Sequence, residues 1–204
     1  MKLVIATRNP GKLREIRAIL GVLPCETVSL EDFPEVPVLP EEGASYTENA
    51  AMKARQAADA TGLWALADDS GLEVEALDGA PGMRSKRFGG EETPYGEKMG
   101  KILDLLKETK GSKRAARFLC VAALADPVAG VAVCQGACEG EIAQEMRGGQ
   151  GFGYDPIFFY PPLGKTFGEL TPEEKNRVSH RAMAVRKAKA VILEKLKVQD
   201  PTKG

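Results

Sequence analysis

Short apolar runs alternate along this chain with segments in which apolar residues recur at helical spacing. Residues 2–6 are one such run and predict a short buried strand. Asn9, Pro10 and Gly11 turn the chain, and Leu13, Ile16 and Leu20 then recur at helical spacing, with Gly21 closing the helix. A strand is expected near 27–30, followed by a Pro- and Glu-rich loop over 31–44. Ser45 and Glu48 stand at capping-box spacing, so a helix is expected from there through an Ala-rich run to Ala60, stopped by Gly62. Residues 63–67 read as a buried strand ending at Asp68-Asp69-Ser70-Gly71, with another strand over 72–77 and a glycine-rich loop over 79–90. Thr93-Pro94 places an N-cap before a proline at the first helical position, opening a helix to about Lys107.

Two longer runs, 114–125 and 131–138, flank Asp126-Pro127-Val128-Ala129-Gly130 and predict an antiparallel hairpin. The alanines of the first arm leave a helix open as the alternative, and 141–145 can extend the sheet. Thr171-Pro172-Glu173-Glu174 is a second capping box, before a short helix and a long one over 181–197. No internal repeat and no obvious linker interrupts the pattern. Helices interleaved with hairpin strands predict an α/β domain with a mixed sheet.

Composition narrows the function classes. The 204 residues suit one domain, and 43% hydrophobic with 28% charged residues exclude a collagen-like, low-complexity or wholly disordered chain. Lys plus Arg number 28 against 29 Asp plus Glu, a net charge of −1, without the basic excess usual in duplex binders. The stretch from Arg177 to Lys197 is rich in Lys and Arg, with Glu194 its single acid; in a neutral chain it reads as a solvated helical face, not a nucleic-acid stripe. No stretch approaches the roughly 18 apolar residues that span a bilayer, and the N-terminus runs directly into a strand-like segment, so a soluble, cytoplasmic protein without a signal peptide is expected. Cys25, Cys120, Cys134 and Cys138 are expected to be small buried or half-buried hydrophobes, since the Cys134–Cys138 pair has no second close pair to complete a zinc site. His180 is the only histidine, which excludes a His-rich metal site.

Four segments carry candidate chemistry. In Thr7-Arg8-Asn9-Pro10-Gly11-Lys12 a strand feeds a tight turn and a helix, a geometry that aims free N–H groups at an anion. Lys12 adds a full charge, and Thr7 and Asn9 add donors. The segment is neither a Walker A loop nor a Rossmann fingerprint; its blander reading is an ordinary strand–turn–helix. Asp68 and Asp69 repel unless a cation compensates, and magnesium, which binds one or two carboxylates plus phosphates, suits them. Glu41, beside Glu42, is a further candidate ligand, against the alternatives of an Asx turn at 68–71 and a solvated acidic loop at 41–42. Phe152, between Gly151 and Gly153, is placed to stack on a base, or else is a core residue in a glycine-rich loop. Lys175, Asn176, Arg177, Ser179, His180 and Arg181 cluster donors at a helix junction, or form a basic face in solvent.

Assembled, these segments resemble the inosine triphosphate pyrophosphatase family over nearly the whole chain. The resemblance is carried by Ala6-Thr7-Arg8-Asn9-Pro10-Gly11-Lys12, Tyr46-Thr47-Glu48-Asn49-Ala50 with Lys53-Ala54, and Ala67-Asp68-Asp69-Ser70-Gly71-Leu72 followed by Gly79-Ala80-Pro81-Gly82. Phe152-Gly153-Tyr154-Asp155-Pro156, Lys175 and Ser179-His180-Arg181 complete it. It implies one elongated, two-lobed α/β domain over 1–204, a mixed twisted sheet with flanking helices and a central cleft. It further implies a homodimeric, magnesium-dependent hydrolase that converts ITP, dITP, XTP and dXTP to monophosphate and pyrophosphate. Thr7, Arg8, Asn9, Pro10, Gly11 and Lys12 are then phosphate ligands and Asp69 is proton acceptor and metal ligand. Ser70, Phe152, Gly153, Tyr154, Asp155, Lys175, His180 and Arg181 touch substrate, the last donors reading the oxygen at purine position 6. Lys12 and Lys53 with magnesium offset the phosphate charge, and Asp68 and Glu41 join Asp69 as metal ligands. One departure stands out: many relatives carry a metal-linked glutamate where this chain has Pro40, with Glu41 adjacent. The alternatives are a septum-inhibitor-type nucleotide pyrophosphatase and a nucleotide sensor that does not hydrolyse its ligand.

Overall fold

A computed structural model describes residues 2–37, 39, 41–109, 111–128 and 130–199; Pro40, the departure noted above, lies outside them. Seven strands form one twisted sheet: β1 (Lys2–Ile5), β2 (Glu26–Ser29), β3 (Trp64–Val74), β4 (Ala115–Ala125), β5 (Val131–Ile142), β6 (Phe158–Tyr160) and β7 (Lys165–Thr166). Their order is β2-β1-β3-β4-β5-β6-β7. β1 runs parallel to both β2 and β3, whereas β6 is antiparallel to β5 and β7, so the sheet is mixed. The helices are α1 (Pro10–Leu20), α2 (Tyr46–Thr61), α3 (Tyr95–Leu105), α4 (Pro172–Val178) and α5 (His180–Gln199).

Local chemistry explains most boundaries. Asn9 caps α1, its Oδ1 accepting the Lys12 N–H at 3.0 Å, and Pro10 occupies the first helical position, where it has no N–H to waste. Ser45 caps α2 by accepting from the Glu48 N–H, but the Glu48 carboxylate reaches back to the Ala44 N–H, one residue beyond the usual partner. Gly62 ends that helix in the left-handed region, at φ 66°. Thr171 and Glu174 satisfy each other's backbone donors in a complete capping box.

Three expectations are corrected. Residues 68–71 are not a turn between two strands: β3 runs without a break from Trp64 to Val74, and residues 75–77 form a 3-10 turn. Pro94, not Thr93, is the cap residue of α3, because the Thr93 hydroxyl donates to the Gly89 carbonyl instead. The second hairpin arm does not stop at Cys138: β5 continues to Ile142, while the alanine-rich first arm is strand, as the hairpin reading expects.

The chain folds as two compact units. One draws on Met1–Asp69, Cys120–Gly136 and Arg181–Gly204, the other on Ser70–Leu119 and Ala137–His180. Each has its own core. The first packs Leu3 and Ile5 of β1 with Ile16 and Leu20 of α1, Leu66 of β3 and Val185 and Ile192 of α5. The second packs Leu72, Ile102, Phe118, Ile157, Phe158 and Phe167. Full burial of one such side chain stabilises by about 1.5–3 kcal/mol. The frame under Asp68 and Asp69 is therefore built from fully packed strand and helix.

Candidate active site

The first unit gathers charged groups around the middle of β3. Successive strand residues face opposite ways, so the adjacent acids Asp68 and Asp69 meet different partners. Asp68 is 2% exposed, and its Oδ2 lies 3.0 Å from Lys12 Nζ and 3.2 Å from Arg181 Nε. Arg181 in turn donates from Nη1 to Glu15 Oε2 at 2.6 Å. Charges alternate along Lys12, Asp68, Arg181 and Glu15. The buried Cys120 Sγ stands 3.8 Å from the same Asp68 oxygen. Burial and then the Asp68 charge push its thiol up to about 12, so it stays protonated. Burial drives the Asp68 carboxyl up, but Lys12, Arg181 and Lys53 together outweigh it and hold Asp68 well below the usual carboxylate range.

Asp69 lies in a different setting. Its Oδ2 accepts from Asn49 Nδ2 at 3.0 Å, and its Oδ1 lies 3.6 Å from Lys53 Nζ. The same ammonium lies 2.7 Å from Glu41 Oε1. Burial is the largest influence on Asp69 and raises its proton affinity, with Glu41 adding to it; Lys53, Lys12 and the Asn49 hydrogen bond oppose without cancelling. Lys53 is itself lowered by burial but raised overall by Asp69, Asp68 and Glu41. A carboxylate with raised proton affinity, fixed by an amide and flanked by a cation, is equipped to take a proton from water.

Beside this cluster the N-terminal turn of α1 carries its own donors. The Thr7 Oγ1 accepts the Asn9 N–H at 3.2 Å and shapes the entry into the helix. Gly11 is buried and Pro10 exposed. Arg8 turns away, its guanidinium donating to the Val36 carbonyl. Lys12 therefore supplies the turn's charge, while Arg8 anchors the following loop.

The second unit holds the aromatic candidates. Gly151 and Gly153 flank Phe152 at φ 74° and 66°, and a Cβ at Gly151 would meet Asp155 Oδ2 at 2.1 Å, so glycine is required there. That oxygen accepts the Phe152 N–H at 2.7 Å and also the Lys175 ammonium. Lys175 lies 4.9 Å from the Phe152 ring centre and 5.7 Å from that of Phe167, a cation–π arrangement. Tyr154 is buried and donates its hydroxyl to the Ser85 carbonyl at 2.8 Å. His180 stacks on Phe118, ring centres 4.5 Å apart. Ser70 is half-buried on β3.

Lys175, His180 and Arg181 each have a partner of their own: Asp155, the Phe118 ring and the Asp68–Glu15 carboxylates respectively. Among the described residues no group of three or more His, Cys, Asp or Glu side chains is arranged to hold a metal, so the set Glu41, Asp68 and Asp69 is not assembled. Asp68 is the counter-ion of Lys12 and Arg181, while Glu41 and Asp69 share one cation. Those two carboxylates offer hard oxygen donors that could hold a divalent cation of the kind that takes one or two carboxylates together with phosphate oxygens and water. Two contributors were given no site role by the sequence, although Asn49 lies within the capped-helix motif. Asn49 lies one helical turn before Lys53 on α2, and Glu15 lies three residues after Lys12 on α1; such spacings put side chains on one helix face.

Comparison with known proteins places the chain. Residues 3–191 match the model of the Ham1 family. A dITP/XTP pyrophosphatase of Geobacter sulfurreducens is 49% identical over 184 residues, covering 90% of this chain and 92% of that protein. A HAM1 protein from Coxiella burnetii has a similar solved structure, with TM-score 0.85 and 43% identity over 95% of this chain and 99% of that one. The Ham1 protein of Staphylococcus aureus follows at TM-score 0.84 and 36% identity, covering 96% of this chain and 100% of that one.

Proposed function

The chain belongs to the Ham1 family, and from that membership we propose that it hydrolyses deaminated purine nucleoside triphosphates, ITP, dITP, XTP and dXTP, to the monophosphate and pyrophosphate. Relatives that carry the name dITP/XTP pyrophosphatase support this choice of substrate. The observation that carries the chemistry is Asp69, buried, raised in proton affinity, and held between Asn49 and Lys53.

In this reading Asp69 accepts a proton from a water molecule. The water oxygen attacks the α-phosphorus, the bond to the bridging oxygen breaks, and pyrophosphate departs. Lys12, Lys53 and the N–H groups at the start of α1 receive the phosphate charge, with Thr7 and Asn9 shaping that turn. Phosphoryl transfer asks the protein mainly for positioning and charge stabilisation, and these residues are set on packed elements. Phe152 carries the purine face, held by Gly151, Gly153, Asp155 and Lys175; Ser70, Tyr154, His180 and Arg181 complete the proposed set. Asp69 and Glu41 would hold a magnesium ion, which would supply neutralisation of the phosphate charge. A cytoplasmic homodimer is the proposed working form; no helix among the described residues is long and apolar enough to cross a membrane.

Hydrolysis in isotopically labelled water tests the bond cleaved. Label in the monophosphate supports attack at the α-phosphorus; label confined to pyrophosphate or phosphate refutes it.

A further inference from the structure

A lysine that only binds phosphate needs no carboxylate partners, yet Lys53 has two. Its ammonium lies 2.7 Å from Glu41 and 3.6 Å from Asp69, and its side chain is 8% exposed. Glu41 comes from the acidic loop and Asp69 from β3, so one cation holds together two acids from separate elements. Those acids are the pair to which the proposed reaction assigns the metal.

We propose that Lys53 is the resident cation of the Glu41–Asp69 pair: its ammonium stands where a divalent ion bridges the same two carboxylates, and it leaves them for the phosphates when that ion binds. The proposal rests on the reading of Glu41 and Asp69 as metal ligands. Three features support it. A lysine carries one charge on a long flexible stem, so it can fill a cation's place and still be withdrawn. Asp69 keeps its orientation without Lys53, because Asn49 Nδ2 holds its Oδ2 at 3.0 Å and Asn49 Oδ1 is itself fixed by the Gly43 N–H at 2.7 Å. Lys53 and Asn49 stand four residues apart on α2, so the helix that positions the carboxylate also carries the cation that leaves it.

The consequence is coupling. Without phosphate nearby, a divalent ion must displace an ammonium that has nowhere better to go, and metal affinity is low. A bound pyrophosphate gives Lys53 a new anionic partner, and metal affinity rises. By linkage the metal strengthens pyrophosphate binding by the same factor.

The test titrates the full-length protein with Mn²⁺, read by EPR, with and without pyrophosphate and corrected for the ion–pyrophosphate complex. Lys53→Met is expected to bind Mn²⁺ about tenfold more tightly than wild type in the absence of pyrophosphate, within the usual range of coupling factors, and to lose most of the pyrophosphate effect. Adding Glu41→Gln to Lys53→Met should abolish the gain. A folded Lys53→Met protein with unchanged or weaker Mn²⁺ affinity overturns the proposal. The wild type supplies a readout that needs no variant: saturating Mn²⁺ should expose Lys53 to an acylating reagent located by mass spectrometry, and continued protection also overturns it. Mn²⁺ binding by wild type with pyrophosphate, but no gain in Lys53→Met, sinks the exchange alone. Failure of Mn²⁺ to bind under any condition sinks the metal reading with it.

Discussion

Replacing Asp68 by Asn should unfold the protein more readily, whereas the same change one residue later should not. Asp68 is buried between Lys12 and Arg181, and both cations lose their shared counter-charge in Asp68→Asn. Breaking a buried ion pair by removing one partner costs about 3–5 kcal/mol. The amide oxygen still accepts a hydrogen bond and Glu15 still neutralises Arg181, so the lower end, about 3 kcal/mol, applies. For a chain of this size each kcal/mol moves the melting point by roughly 2–4 °C, which gives a loss of about 6–12 °C. Asp69 has the opposite sign. Its folded-state proton affinity is raised, so above that folded value its ionised form opposes folding, and the penalty fades as pH falls through it. Asp69→Asn should therefore melt at or above wild type at neutral pH while turnover falls by about 100-fold or more. For Asp68, whose affinity is depressed, the stabilisation is present above the unfolded carboxylate range and is lost as pH falls through that range towards the folded value. Circular-dichroism melts of both variants at neutral and acidic pH decide the matter. An Asp68→Asn protein that melts with wild type, or an Asp69→Asn protein that falls as far, refutes this division of labour.

Lys12→Ala should weaken ITP binding more than inosine monophosphate binding, with a loss that shrinks as salt rises; calorimetric titration of both ligands at two ionic strengths checks it, and equal salt-independent losses would remove Lys12 from the phosphate tail. Phe152→Ala should lower kcat/KM for ITP and ATP alike, because a ring face does not distinguish a carbonyl from an amino group at position 6; a change confined to ITP would assign base choice to Phe152.

The first turns of α2 and α4 were legible because their signal is local: Ser45 with Glu48 and Thr171 with Glu174 each lie within one turn of the groups they satisfy, whereas Asn9, read as a turn residue, caps α1. The acids at 68 and 69 were found, with the need for a compensating cation, but placed at a strand end. Two neighbouring carboxylates suggest such an end, and only the tertiary structure shows that β3 continues past them and sends them to separate cations. Arg181 shows the same limit more strongly. Sequence adjacency grouped it with Lys175 and His180, yet its partner Glu15 lies 166 positions away, a pairing that no local pattern encodes. Lys53 was recognisable as a charge facing phosphate, but its hold on Glu41 depends on where the loop before α2 settles, which spacing alone does not determine.

The activity expected of this chain is cleavage of deaminated purine nucleoside triphosphates between the α- and β-phosphates. Its most direct test is product analysis with ITP and ATP as parallel substrates in the presence of magnesium. Inosine monophosphate and pyrophosphate in equal amounts, at an efficiency on ITP at least about a hundredfold above that on ATP, is the expected result. Release of inorganic phosphate with inosine diphosphate, or equal efficiency on the two nucleotides, would contradict it.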